Sequence, residues 1–271
     1  MGKLDGKVAF VTGAARGQGR SHAVRLAEEG ADVIAIDICK QIDTVQYPMS
    51  APEDLAETVQ GVEALGRRIF AREADVRDAG AVRAALAEGE AELGPVEIVI
   101  ANAGIAPMSM TPRPEEWQDV IDVNLTGVYN TVEAARTGMV ERGAGGAIVL
   151  TSSTAGLTGI GGDTPGGIGY TASKHGVVGL MRTYANILAP HGIRVNSVHP
   201  TGVRTPMVIN PIMEKFLAAD PAMGEHMMNA LPVDMLEPVD ISHAVIWLVS
   251  DDARYVTGVT LPVDAGFTVK K

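Results

Sequence analysis

A short apolar run, Val8 to Thr12, ends in the glycine-rich turn Gly13-Ala14-Ala15-Arg16-Gly17-Gln18-Gly19, and a periodic segment from Ser21 to Glu29 follows before Gly30. This reads as strand, tight turn, helix. The same alternation continues to the end of the chain. Strands are predicted over 32–37, 68–74, 96–101, 147–151, 193–198 and 259–263, and helices over 53–65, 78–93, 115–141, 170–188 and 237–249. Strands alternating with helices predict an α/β fold: a single-domain, Rossmann-type doubly wound parallel sheet of about seven strands with helices on both faces. No repeat or linker divides the 271 residues, which suffice for one large core.

Composition narrows the function classes. The net charge of −11 comes with no basic cluster or stripe, so a nucleic-acid partner is not expected. The single cysteine, Cys39, rules out an internal disulfide and suits a reducing cytoplasm. The opening residues go straight into the first strand without a signal-peptide pattern, and no apolar run reaches the roughly 20 residues of a membrane span. The six histidines show no metal-ligand spacing, so no metal is expected.

The glycine turn lies between a strand and a helix. There, backbone N–H groups approach a pyrophosphate and the helix dipole favours an anion. Asp37 closes the second strand, roughly 20 residues past the glycines, where a carboxylate accepts from both ribose hydroxyls of NAD and repels a 2′-phosphate. Arg16 pulls the other way, since a basic residue in the turn can pair with that phosphate. Asp37 outweighs it because it stands where the ribose must lie. Ile38 to Pro52 then runs without a clear period and carries two prolines. Connections in such units are usually about 2–6 residues. The apolar Ile42, Val45, Tyr47 and Met49 argue that this insertion packs on something, for which the bound cofactor is one reading and an ordinary surface loop the other.

Tyr170 and Lys174 sit four apart at the start of a helix, so both can point at one spot. A free phenol ionises near pH ~10. A cation about 5 Å away, at an effective dielectric of about 20, favours the phenolate by roughly 3 kcal/mol, which lowers that pKa by about 2. Tyr170 is then a candidate general acid and base. Each feature singled out falls at the carboxyl end of a strand or just beyond, where open α/β sheets bind ligands.

These residues together resemble the classical short-chain dehydrogenases/reductases over nearly the whole chain. The carriers are Thr12 to Gly19, Asn102-Ala103-Gly104, Asn124, Ser153, the Tyr170/Lys174 pair, Pro200 to Thr205, and the tail Thr257 to Asp264. The resemblance implies NAD-dependent interconversion of an alcohol and a carbonyl. It implies that Tyr170 exchanges a proton with the substrate hydroxyl, that Lys174 lowers the tyrosine pKa and holds the nicotinamide ribose, and that Ser153 hydrogen-bonds the substrate oxygen. Asn124 would kink its helix and hold a water next to Lys174. Gly13, Arg16, Gly17, Gln18, Gly19, Asp37 and Ile38 would line the cofactor. Asp75 and Val76 would contact adenine, and Asn102, Ala103 and Gly104 would pass under the cofactor. Pro200, Val203 and Thr205 would meet its carboxamide and pyrophosphate end.

The insertion after Asp37 and the turn Gly17-Gln18-Gly19-Arg20-Ser21-His22-Ala23 look like the actinobacterial subgroup typified by carveol dehydrogenase, which is associated with the redox cofactor mycofactocin. That resemblance implies a tightly held NAD, reoxidised in place by an external carrier. Residues 206–232 are expected to form a lid over the substrate. Its Met207, Val208, Ile209, Met213, Met223, Met227 and Leu231 suit an adaptable apolar pocket. The expected substrate is an apolar secondary alcohol or its ketone, of terpenoid type, and the expected assembly is a homotetramer. Two alternatives stand beside this reading. One is a conventional ketosteroid or 3-oxoacyl reductase with exchangeable NAD(H). The other, of a different class, is a non-catalytic NAD-sensing binding protein, against which the intact Asn124, Ser153, Tyr170 and Lys174 argue.

Overall fold

Every residue of the first strand, β1 (Val8–Thr12), is buried, as an unalternating apolar run requires when helices cover both faces of a parallel sheet. In this computed structural model, residues 2–107, 109–219 and 228–270 are described. β1 is joined by β2 (Asp32–Asp37), β3 (Ile69–Glu73), β4 (Ile98–Ala101), β5 (Gly146–Thr151), β6 (Ile193–Pro200) and β7 (Thr260–Val263). All pair in parallel, in the order β3-β2-β1-β4-β5-β6-β7. The expected fold class is the observed one. The order reverses between β1 and β4, and the crevice that opens there at the carboxyl ends is where the site forms.

The helices are α1 (Gly17–Glu28), α2 (Pro52–Glu63), α3 (Ala79–Leu93), α4 (Glu115–Ile121), α5 (Gly127–Arg142), α6 (Pro165–Leu188), α7 (Pro211–Ala219) and α8 (Pro238–Val249). Two apolar cores sandwich the sheet. On one face Val82, Leu86, Val132, Val177 and Met181 from α3, α5 and α6 pack on Phe10, Ile34 and Ile148. On the other, Ala23, Leu26, Val62, Ile241 and Val245 from α1, α2 and α8 pack on Val11, Val33 and Val149.

Three elements differ from the sequence reading. α1 begins at Gly17, not Ser21, because Gly17, at φ +55°, turns the chain straight into a helix that already includes Gln18 and Gly19. The lack of a side chain on Gly19 lets the helix press on the turn: a Cβ there would lie 1.9 Å from the Gly13 carbonyl oxygen. α6 begins at Pro165, five residues before Tyr170. Thr164 caps it by accepting from the Gly167 N–H at 3.1 Å, and Pro165 takes the first-turn position where its missing N–H costs nothing. The expected single helix over 115–141 is split, because Asp122–Thr126 winds as a π-helical segment between α4 and α5.

The segment after β2 is closed on itself and packed on the body. The Gln41 amide donates to Val45 O at 2.6 Å, and its Oε1 accepts from Met49 N at 3.0 Å. Ile42, Val45 and Tyr47 join the core beside α5. Thr44 donates to Asp119 at 2.6 Å, Gln46 to Ser109 at 2.6 Å, and Arg113 to Asp43 O at 2.7 Å. The insertion is thereby fastened to the loop that follows β4. In the lid region, Asn210 Oδ1 accepts from Ile212 N and Met213 N at 3.0 and 2.9 Å and starts α7. Met213 is buried, whereas Met228 and Leu231 are exposed. Met223 and Met227 lie outside the described residues.

Candidate active site

The carboxyl ends of β1 and β4 are stapled together by Thr12. Its hydroxyl oxygen accepts from Asn102 N at 3.1 Å and Ala103 N at 3.2 Å, and its carbonyl accepts from the Asn102 amide at 3.1 Å. Gly13 follows at φ +67°, and a Cβ there would come within 2.8 Å of the Ala103 Cα. The positive φ and the close approach both require glycine. Around this point opens a cleft of about 200 Å³.

Gly13, Arg16, Gly17, Gln18, Gly19, Asp37 and Ile38 line this cleft on the α1 and β2 side. Asp75, Val76, Asn102, Ala103 and Gly104 form its floor, and Pro200, Val203 and Thr205 its far wall. Ser153, Tyr170 and Lys174 close one end. The inserted segment contributes Ile42, Tyr47, Met49 and Ser50, and the chain beyond β6 contributes Met207 and Val208.

Asp37 is held rigidly. Oδ2 accepts from Ala15 N at 2.9 Å, and Oδ1 accepts from the Ser50 hydroxyl at 2.6 Å and Cys39 N at 3.2 Å. Arg16 turns away from it and donates to Pro48 O at 2.7 Å, so its guanidinium braces the insertion. Asp75 is paired with Arg77 at 2.7 Å, and Val76 packs against Gly127, where a Cβ would come within 2.5 Å. The lining suits a dinucleotide. Gly13 and Gly17 leave room beside the first turn of α1, Asp37 presents a carboxylate at the ribose end, and Gln18 Oε1 is buried without a partner among the described residues. An orphaned buried acceptor of this kind calls for a donor from a ligand.

At the closed end, Asn124 is fully buried in the π-helical segment. Its amide donates to Ile105 O and its Oδ1 accepts from Ile105 N, both at 2.8 Å, which fixes the chain just past Gly104. A Cβ on Gly104 would lie 3.3 Å from Asn124 Oδ1 and 3.7 Å from Lys174 Nζ, so the asparagine side chain and the ammonium share one glycine. Asn124 itself stands behind the cleft wall. Ser153, in extended conformation after β5, accepts from Ala155 N at 3.2 Å, and its hydroxyl is the polar neighbour that draws the Tyr170 phenol's pKa down.

Lys174 lies on the same helical face as Tyr170, with Nζ 5.5 Å from the ring centroid. The ammonium is buried and donates to Thr151 O at 2.9 Å. Burial pushes its pKa down to about 8. The expectation that Lys174 lowers the Tyr170 pKa needs correction for the chain by itself. Burial raises the phenol above its ordinary value, and the Ser153 hydroxyl is what pulls it back. The reason is that desolvation penalises a phenolate as it penalises the ammonium, and this cation directs a hydrogen bond at a carbonyl.

The family model for short chain dehydrogenase matches residues 7–214. The chain belongs to the short-chain dehydrogenase family. Among the relatives of this short-chain dehydrogenase is an uncharacterised oxidoreductase of Mycobacterium tuberculosis, 58% identical over 99% of this chain and 98% of that one. Another is (−)-trans-carveol dehydrogenase of Rhodococcus erythropolis, 47% identical with both chains covered in full. The crystal structure of a carveol dehydrogenase from Mycobacterium avium in complex with NAD superposes with a TM-score of 0.93 at 50% identity, again over the full length of both chains.

Some site residues of this short-chain dehydrogenase escaped the sequence reading. Ser50 reaches the cleft from the aperiodic insertion, where only its apolar neighbours, Tyr47 among them, hinted at packing. Thr201 lines the cleft and donates to Asn229 at 2.9 Å, which ties the far end of the lid region to the end of β6. The signal for Thr12 was present: it is a lone hydroxyl closing an otherwise apolar strand. Among the described residues no group of acidic, cysteine or histidine side chains could hold a metal ion, and no helix is long and apolar enough to cross a membrane.

Proposed function

We propose that this short-chain dehydrogenase interconverts an apolar secondary alcohol of carveol or terpenoid type and its ketone, using NAD. The observation that carries the reading is the convergence of Ser153, Tyr170 and Lys174 at one end of a cleft whose other end presents Asp37. When bound, NAD supplies the hydride acceptor at its nicotinamide ring. The rest is done by side chains of the chain. The Ser153 hydroxyl hydrogen-bonds the substrate oxygen, and Tyr170, as the phenolate, accepts the hydroxyl proton and becomes the phenol as the carbinol carbon becomes a carbonyl; in the reverse direction the phenol returns that proton. Lys174, whose ammonium stands 5.5 Å from the Tyr170 ring centroid, holds the nicotinamide ribose beside the phenol. Asn124 holds Ile105 and Gly104 under this end of the cleft, beside the Lys174 ammonium. Gln18, Asp37, Asp75, Val76 and the Asn102–Gly104 stretch hold the nucleotide, and Pro200, Val203 and Thr205 hold the nicotinamide half.

The substrate class is supported by what faces the mouth of the cleft: Met207, Val208 and Ile105 are apolar. The reading includes a tightly held NAD that is reoxidised in place by an external carrier of the mycofactocin type. The support is the fastening of residues 38–51 to the loop after β4 and to α4 by hydrogen bonds from Thr44, Gln46 and Arg113. It also includes a cytoplasmic homotetramer. Trp117, Tyr129 and Ile168 on α4, α5 and α6, and Tyr255 and Val269 near the C-terminus, expose large apolar surface that a second and third copy would cover.

The test is to purify the protein without added cofactor, denature it, and assay the supernatant for NAD and NADP. Turnover of carveol is then measured with free NAD and, separately, with an artificial electron-accepting dye. Stoichiometric NAD with turnover through the dye alone supports the whole reading. Empty protein that turns over with free NAD removes the buried-cofactor part and leaves a conventional dehydrogenase. Sedimentation velocity decides the tetramer.

A further inference from the structure

β5 and β6 run side by side as far as the pair Thr151 and Val198, and Ser152 N still donates to Val198 O at 2.9 Å. Ser153 lies one residue beyond this last ladder bond, so its carbonyl has no strand partner to accept from. It accepts instead from Gly156 N at 2.9 Å and from a side chain, His199, whose Nδ1 also lies 2.9 Å from Ser153 O. His199 and Ser197 are both fully buried, and His199 Nε2 lies 2.8 Å from the Ser197 hydroxyl.

The partners fix the proton. A carbonyl oxygen only accepts, so Nδ1 must carry the hydrogen, and the lone pair on Nε2 of the neutral ring accepts from the Ser197 hydroxyl. Ser153 is thus clamped at both ends. Its carbonyl is held by His199 from below the sheet's edge, and its hydroxyl faces Ala155 N and the Tyr170 phenol. Rotation of the Ser152–Ser153 backbone would swing the hydroxyl off the phenol, and it would break the imidazole's bond to the carbonyl together with that of Gly156 N–H.

We infer that His199 is a positioning residue which keeps the Ser153 hydroxyl on the Tyr170 phenol by holding the Ser153 main-chain carbonyl. The inference rests on the reading of Ser153 and Tyr170 as the pair that faces the substrate oxygen. A histidine that merely filled the core could be replaced by any polar residue of similar size with the same result. A positioning histidine needs its donor at the δ position. Asparagine places an amide N–H close to where Nδ1 stands, and glutamine places one close to where Nε2 stands.

The experiment uses the full chain carrying whatever cofactor it retains, labelled with [13Cζ]tyrosine. The Tyr170 resonance is identified among the five tyrosines by its loss in Tyr170→Phe. Its chemical shift reports hydrogen bonding at the phenol and needs no substrate. Ser153→Ala should move it, His199→Gln should move it in the same direction, and His199→Asn should leave it near the wild-type position. A His199→Gln resonance that stays at the wild-type position, or a His199→Asn resonance that moves as far as His199→Gln, overturns the inference while the Ser153–Tyr170 reading stands. A Ser153→Ala resonance that does not move overturns that reading and the inference with it.

Discussion

The Ser50 hydroxyl donates to Asp37 Oδ1 at 2.6 Å, which ties the last residues of the inserted segment to the carboxylate at the ribose end of the cleft. Ser50→Ala should loosen that carboxylate without removing it. We expect NAD affinity to fall about fivefold, the equivalent of roughly 1 kcal/mol for one hydrogen bond. Asp37→Ala should lose about a hundredfold and narrow the preference for NAD over NADP. Calorimetric titration of cofactor-stripped protein measures both. Equal affinity in Ser50→Ala and wild type would show that the tie has no bearing on the ribose.

Removing the phenol should separate chemistry from binding. Tyr170→Phe should lower kcat by about a thousandfold or more, and Ser153→Ala by about a hundredfold, since each loses a group acting on the reacting oxygen. NAD retained per chain should stay at the wild-type level in both. A Tyr170→Phe enzyme with near-normal turnover would point to the sensing alternative or to a different base.

Lys174 is buried as a cation with its pKa pushed down to about 8, so holding it charged at neutral pH works against folding. Lys174→Met should therefore abolish turnover and keep or raise the thermal midpoint of the cofactor-free protein. The sign follows from linkage. The folded form binds the lysine proton less tightly than the unfolded chain does, so this position penalises stability below pH 8 and the penalty fades as pH rises toward the free lysine value of about 10.4. Scanning calorimetry at pH 7 and pH 9 checks it: the gap between Lys174→Met and wild type should shrink at the higher pH.

The fastening of the insertion can be cut from the far side of the cleft. Arg113→Ala combined with Gln46→Ala removes the bonds to Asp43 O and Ser109 and touches no residue that lines the cleft. We expect faster release of bound NAD, by tenfold or more, with little change in the turnover of the loaded enzyme. Exchange of radiolabelled NAD gives the rate directly. An unchanged rate would mean that the insertion does not gate the cofactor.

Acid stability should carry the mark of two histidines. Burial pushes His22 down to about 3 and His199 to about 4, whereas in the unfolded chain each titrates near 6.5. Both folded values are depressed, so their contribution is complete above pH ~6.5 and is lost as pH falls toward the folded values, with a slope of up to about 1.4 kcal/mol per pH unit for each. Urea unfolding at pH 6.5 and pH 5 should show this loss. His22→Asn, which preserves a donor toward Ser242, should lose about half of it.

The fold was legible because its signals are local. Apolar runs such as Val8–Thr12 and Val33–Ile36 have only one way to be buried on both faces, and the alternation with periodic segments leaves a parallel sheet as the solution. The candidate reacting residues could be proposed from the sequence because Tyr170, Lys174 and Ser153 each sit at a strand end or on a helix face that spacing identifies, and the structure brings them to one cleft. The relation between Lys174 and Tyr170 was not legible, because it depends on how deeply both are buried and on where the ammonium spends its hydrogen bond. The start of α6 at Pro165 was hidden by glycines that ordinarily argue for loop. Ser50 and His199 were unreadable for another reason. Their roles are set by contacts across 13 and 46 residues of chain, and no local pattern encodes them.

In a doubly wound sheet the connection after one strand can change by mutation almost independently of the connection after another. The insertion removes that independence. It leaves β2 at Asp37 and is anchored beyond β4 at Ser109, Arg113 and Asp119. On the proposed reading, a change that reshapes the loop after β4 should therefore also alter how firmly the cofactor is kept. New substrates would be reached most readily through the other wall, at Met207 and beyond, where variation leaves that anchorage alone.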